Sequence, residues 1–130
     1  MTHVFERIYV RCPYAAARRY VHEDALHLVP PIPPYTMHLE HADDPLRFDE
    51  RLRVEWTPKE GAPYPHFTGE VVLRADPDMS TTVLEISGDY VPPFGAPGRA
   101  FDLLVGQKIA SATAKSVLHH MAEDIEQHAH

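Results

Sequence analysis

Residues 48–56, FDERLRVEW, alternate in side-chain character along the chain. Leu52, Val54 and Trp56 share one parity, whereas every odd-numbered position in this stretch is charged. Successive side chains of a β-strand point to opposite faces of a sheet, so the pattern predicts a strand with one buried and one solvated face. Such half-buried strands are typical of antiparallel sheets. We therefore expect Leu52, Val54 and Trp56 to point into a core.

Four further stretches show strand-like alternation: residues 3–11, 35–40, 67–74 and 81–90. The inward parities of the last three carry Tyr35, Met37, Phe67, Val71, Leu84, Ile86 and Tyr90. Short polar segments such as Asp76-Pro77-Asp78 can connect antiparallel neighbours, whereas parallel neighbours need long crossover connections. The sequence therefore predicts an antiparallel sheet of about five strands, most of them consecutive.

Two helices are predicted around these strands. The first spans about residues 14–28, because Pro13 suits a helix start and four prolines between positions 30 and 34 end it. The second spans about residues 99–127 and would be roughly 40 Å long, enough to cross every strand. Its apolar stripe comprises Phe101, Val105, Ile109, Ala112, Val117, Met121 and Ile125. We expect this stripe to cover the buried face of the sheet.

The bulk properties limit the class of protein. A chain of 130 residues fits one domain spanning residues 1–130. The net charge of −7 disfavours binding to a nucleic-acid backbone, and no apolar run is long enough to span a membrane. The start of the chain does not resemble a secretory signal, and one cysteine cannot form an internal disulfide. These features predict a cytoplasmic protein, and a homodimer is a reasonable expectation for a small sheet-and-helix domain.

The junction between the last strand and the terminal helix carries a family resemblance. Residues 88–102, GDYVPPFGAPGRAFD, and residues 99–126, with VGQKIASAT at their centre, resemble the corresponding segments of bacterial polyketide-cyclase-type proteins of the START-like, or SRPBCC, superfamily. The resemblance implies an α+β helix-grip fold, in which a curved antiparallel sheet wraps around a long C-terminal helix and encloses an apolar cavity. The chain is shorter than most members, so we expect a smaller or more open cavity. The superfamily shares no catalytic motif, and the resemblance implies no cofactor.

Inward-facing residues are the candidates for lining that cavity. An aromatic and aliphatic surface could hold a flat or acyl ligand, although the same residues could equally fill a packed core. The candidate ligand-binding residues are Tyr35, Met37, Leu52, Val54, Trp56, Phe67, Val71, Leu84, Ile86, Tyr90, Phe101, Val105 and Ile109.

Glu6 and Tyr90 are the candidates for catalysis. Glu6 shares parity with Val4 and Ile8, and a carboxyl group in an apolar cavity would suit proton transfer. The alternative is that the strand register places Glu6 at an edge or in solvent, since unpaired buried carboxylates are rare. Tyr90 could offer its hydroxyl to an oxygen atom of a ligand.

The ten histidines raise the question of a metal site. Adjacent His119 and His120 would point about 100° apart on a helix, and His38 and His41 fall on opposite parities of a strand. Neither pair has the geometry of a metal site, so the sequence predicts none. Arg7, Arg53 and Arg74 fall on outward parities and should be solvated.

Three functions are compatible with these patterns. The first is binding of a small hydrophobic, lipid- or polyketide-like ligand between the sheet and the terminal helix. The second is a cyclase or dehydratase reaction that uses polar groups in that cavity. The third is a protein-interaction domain whose core is fully packed. A cavity occupied by a ligand would separate the first two from the third.

Overall fold

The computed structural model describes residues 2–24, 35–42, 50–59, 66–78, 80–91 and 103–129. These form the strands β1 (Thr2–Val10), β2 (Tyr35–His41), β3 (Glu50–Pro58), β4 (His66–Ala75) and β5 (Thr82–Val91). The helices are α1 (Tyr14–Asp24) and α2 (Leu103–His128). The strand ends differ from the predicted ones by one or two residues, which is normal for boundaries that depend on hydrogen bonding. The expected end of α1 near residue 28 and the expected start of α2 near residue 99 lie outside the described residues.

The strands form one curved, unclosed antiparallel sheet in the order β1-β5-β4-β3-β2. Strands β2 to β5 make the predicted meander, and β1 adds to the far side of β5. The first and second strands along the chain are therefore the two edges. The predicted α+β helix-grip class is confirmed.

The concave face of the sheet forms the core. The alternation in β3 is confirmed, because Leu52, Val54 and Trp56 are fully buried while Arg53 on the opposite parity is exposed. Val4 and Val10 of β1 are also buried on this face. Each fully buried aliphatic side chain of this size stabilises the fold by about 1.5–3 kcal/mol through the hydrophobic effect.

Helix α2 buries a stripe with regular helical spacing. Its buried members are Ala110, Thr113, Ala114, Val117, Leu118, Met121, Ala122 and Ile125. The prediction that Ala112 belongs to this stripe is wrong, because its side chain is exposed. At 3.6 residues per turn, Ala112 lies on a different face from Val117, whereas Ala110 and Ala114 align with it.

The helix packs chiefly against β1 and next against β5, rather than evenly across all strands. Its C-terminal end is fixed to the first helix, because the Tyr20 hydroxyl donates a 2.7 Å hydrogen bond to the Asp124 carboxylate. The backbone N–H of Arg11 donates a 2.8 Å hydrogen bond to the Glu126 side chain. Neither described helix combines the length and apolar character that crossing a bilayer would require.

Candidate functional site

Three aromatic residues form a continuous row across the concave face. Trp56 pairs with Phe67 in the β3–β4 register, and Phe67 pairs with Tyr90 in the β4–β5 register. All three side chains are fully buried. We call Trp56, Phe67 and Tyr90 the aromatic row. Met37 of β2 extends it, because it pairs with Trp56 and is half-buried.

The rings in this row are in close contact. Trp56 and Phe67 stack with centroids 4.0 Å apart and planes inclined by 12°, and the ring of Tyr35 meets Trp56 edge-on at 6.3 Å. Stacked and edge-on pairs each contribute about 0.5–1.5 kcal/mol beyond the burial of their surface. The row is therefore a continuous, closely packed apolar wall.

One polar atom in this wall lacks a partner. The indole Nε1 of Trp56 is buried and donates no hydrogen bond to any described residue. A buried donor without an acceptor costs about 1–3 kcal/mol of stability, and such groups are uncommon in folded proteins. The wall thus contains one buried hydrogen-bond donor that has no acceptor among the described residues.

Two glycines leave the space that the Phe67 ring of the aromatic row occupies. Gly69 and Gly88 pair directly across β4 and β5, and a Cβ atom added to Gly88 would lie 2.7 Å from Cζ of Phe67. The Phe67 ring therefore occupies space that two ordinary side chains would have filled. Glycine in a strand interior is typical of such close approaches.

A hollow opens beside the N-terminal half of α2. It has a volume of about 420 Å³, and its described lining comprises Gln107, Lys108, Ser111, Ala112 and Lys115. Gln107 is exposed, although it lies on the same side of the helix as the buried residues Ala114 and Leu118. Among the described side chains, packing along this side of α2 therefore begins C-terminal to Gln107.

The predicted lining residues on the strands all lie on the concave face, as the alternation predicts. Tyr35, Leu52, Val54, Trp56, Phe67, Val71, Leu84, Ile86 and Tyr90 are buried there. Ile109 of α2 is half-buried. Phe101 lies outside the described residues, and only the backbone of Val105 is described. Whether these residues contact a ligand stays a prediction.

Glu6 combines features of both alternatives for this residue. It lies on the concave parity of β1, directly opposite the buried Ile86. However, β1 is an edge strand and the Glu6 side chain is only half-buried. Whether Glu6 takes part in catalysis stays a prediction.

The convex face carries a charged cluster. The carboxylate of Glu85 is buried and accepts hydrogen bonds from Arg7, at 2.6 and 3.0 Å, and from Arg74. Burial opposes ionisation of Glu85, but these two arginines outweigh it and keep the pKa of the carboxyl below its ordinary value. Arg7 and Arg74 are exposed on this face, as the sequence predicts, yet both are engaged in ion pairs.

A second group of polar side chains lies on the concave face, at the end of β3 opposite to Trp56. Nδ1 of His22 lies 3.3 Å from Oε1 of Glu50, and Nδ1 of His41 lies 3.4 Å from the same oxygen. Arg18 approaches the other oxygen, Oε2, at 3.8 Å. We call His22, His41 and Glu50 the His–Glu cluster. Sequence reasoning missed it because the three residues come from α1, β2 and β3 and have no common spacing.

Solved structures of similar fold cover almost the whole chain. A protein from Thermus thermophilus aligns over 95% of this chain and 97% of its own, with a TM-score of 0.59 and 16% identity. The Zhui aromatase/cyclase from Streptomyces sp. R1128 aligns over 97% and 94%, with a TM-score of 0.51 and 18% identity. Norcoclaurine synthase from Thalictrum flavum, solved with dopamine and hydroxybenzaldehyde, aligns over 99% and 88%, with a TM-score of 0.53 and 11% identity.

Comparisons of the amino-acid sequence found no match. No family model matches the chain, and no curated protein matches it significantly. At identities of 11–18%, these structural alignments show a shared fold alone. The alignments extend over 95–99% of this chain. The chain therefore has a helix-grip fold like that of these proteins, as its resemblance to the START-like, or SRPBCC, superfamily predicts.

Proposed function

We propose that the protein binds a small hydrophobic molecule between the concave face of the sheet and α2. The observation that carries the proposal is the buried indole N–H of Trp56, which has no acceptor among the described residues. In a packed core this unpaired donor would lower the stability of the folded protein, whereas an oxygen atom of a ligand could accept its hydrogen bond. The aromatic row around Trp56 supplies the apolar surface that such a ligand needs.

The chemistry of the surface limits the class of ligand. The flat wall of Trp56 and Phe67 favours a planar or acyl body, and the indole donor favours one acceptor oxygen on that body. The norcoclaurine synthase of similar fold holds two small aromatic molecules, which is consistent with this class.

Intrinsic fluorescence provides a direct test, because Trp56 is the only tryptophan in the chain. The probe is 1-anilinonaphthalene-8-sulfonate, which combines a flat apolar body with an anionic group. We expect saturable binding of one equivalent, with energy transfer from Trp56 to the bound probe. Native mass spectrometry of freshly purified protein should also show a bound small molecule that denaturation releases.

The packed-core alternative predicts the opposite outcome. In that case the protein would have a single ligand-free mass, and the probe would neither saturate nor quench Trp56 emission in the folded state. Tyr9→Phe serves as a control, because Tyr9 is exposed on the convex face. Loss of probe binding in that variant would place the probe on the wrong side of the sheet and contradict the proposal.

A further inference from the structure

We propose that His22, His41 and Glu50 form a binding site for one divalent transition-metal ion, with zinc as the reference ion. Each of the three residues can offer one ligand atom, and these atoms all lie within 4.8 Å of one another. Two imidazoles and one carboxylate are a common ligand set for zinc with one position left open. This inference is independent of the proposed binding of a hydrophobic ligand.

The distances agree with tetrahedral coordination. Zinc–nitrogen and zinc–oxygen bonds of about 2.0–2.1 Å place neighbouring ligand atoms about 3.3–3.4 Å apart. The Nδ1 atoms of His22 and His41 lie 3.3 and 3.4 Å from Oε1 of Glu50. Two edges of the tetrahedron therefore have the required length, and the third edge, between the ligand atoms of the two imidazoles, is at most 4.8 Å long.

The elements that carry the cluster hold these atoms in place. Glu50 begins β3 and is buried, so its carboxylate has little freedom to move away. His41 ends β2 on the concave parity, and His22 lies near the end of α1. The two imidazole rings are tilted by 50° with centroids 5.3 Å apart.

The charges in the cluster are compatible with a cation. Arg18 lies 3.8 Å from Oε2 of Glu50, so it contacts the oxygen that the two histidines do not use. Oε1 lies against both imidazoles, so a metal ion would replace these direct histidine–carboxylate contacts. The side chain of His22 is 63% exposed and that of His41 is 34% exposed, so an ion can enter from solvent and keep a water molecule in its fourth position.

The cluster is well separated from the aromatic row. Glu50 and Trp56 are six residues apart on β3, which corresponds to about 20 Å along an extended strand. A metal ion at the cluster would therefore not contact a ligand stacked on Trp56. Variants of the cluster should leave the binding of the fluorescent probe unchanged.

Calorimetric titration of the untagged protein with ZnCl₂ tests the inference, with native mass spectrometry to count bound ions. We expect one equivalent of zinc in a single transition. The double variant His22→Ala/His41→Ala should weaken binding by at least about 100-fold, because losing even an outer-shell partner of a metal ligand typically costs 10–100-fold. Glu50→Gln should weaken it by at least about 10-fold.

The matched control is His119→Ala/His120→Ala, which removes two exposed histidines from α2. This variant should bind zinc within about twofold of the wild type, since its histidines point in different directions. Circular dichroism checks that each variant is folded. Failure of the wild type to bind zinc, unchanged affinity in the His22/His41 variant, or an equal loss in the control would each overturn the proposal.

Discussion

Gly69 and Gly88 face each other directly across β4 and β5, and the ring of Phe67 lies against both. A Cβ atom at Gly88 would lie 2.6 Å from the Cα atom of Gly69, closer than real side chains approach backbone. The position of the aromatic row thus depends on the absence of two side chains. This relationship yields the first prediction.

Gly88→Ala should lower the free energy of unfolding by about 1–3 kcal/mol, the usual cost of forcing an extra group into a packed core. The new methyl group would displace either the β4 backbone or the Phe67 ring. Chemical denaturation monitored by Trp56 fluorescence measures the effect. Ser87→Ala is the control, because Ser87 is half-buried on the opposite parity of β5. A stability equal to that of Ser87→Ala would show that the sheet relaxes freely at this position.

Trp56→Phe should weaken binding of 1-anilinonaphthalene-8-sulfonate by about 3- to 10-fold, the value of one hydrogen bond. The substitution retains an aromatic ring in the wall but removes the N–H, which has no acceptor among the described residues. Fluorescence of the probe itself measures affinity, since the variant has no tryptophan. Tyr9→Phe on the convex face should bind as the wild type does. Equal affinity in Trp56→Phe would mean that the indole N–H makes no contact with the probe.

Glu85 should make the free energy of unfolding decrease at acidic pH. Because the folded protein lowers the pKa of Glu85, the carboxylate contributes stability above its ordinary unfolded pKa of about 4.3, and this contribution is lost as pH falls through the lower folded value. Glu85→Gln should therefore cost about 1–3 kcal/mol at neutral pH and flatten this part of the acid profile. Urea denaturation at several pH values measures both effects.

The control for this prediction is Glu123→Gln, because Glu123 is an exposed residue of α2. Its acid profile should match that of the wild type. If Glu85→Gln were as stable as Glu123→Gln at neutral pH, the ion pairs with Arg7 and Arg74 would be worth no more than solvent contacts.

Cys12 should react slowly with thiol reagents in the folded protein. Its side chain is buried beside the Ala129 carbonyl, and burial together with the nearby Glu126 raises the pKa of the thiol. Labelling with 5,5′-dithiobis(2-nitrobenzoic acid) at about pH 8, near the ordinary thiol pKa, should be far slower in buffer than in guanidinium chloride. Equal rates in the two conditions would mean that the end of α2 opens readily from β1.

The local pattern of the chain determined most of the fold. Alternation in residues 48–56 identified the buried face of β3, and the same rule placed Phe67 and Tyr90 on that face, since side-chain direction in a strand follows from period-two geometry. Helical spacing located α2, although Ala112 was assigned to the wrong face. The spacing rule fails there because several apolar alanines occur close together, and packing selects among them.

The tertiary structure alone decided the rest. The edge position of β1 set the exposure of Glu6, and the buried Glu85 paired with Arg7 and Arg74, which lie on different strands. Most importantly, α1, β2 and β3 brought His22, His41 and Glu50 together. Local geometry relates only residues close in sequence, so sites assembled from distant elements depend on chain topology, which no spacing in the sequence records.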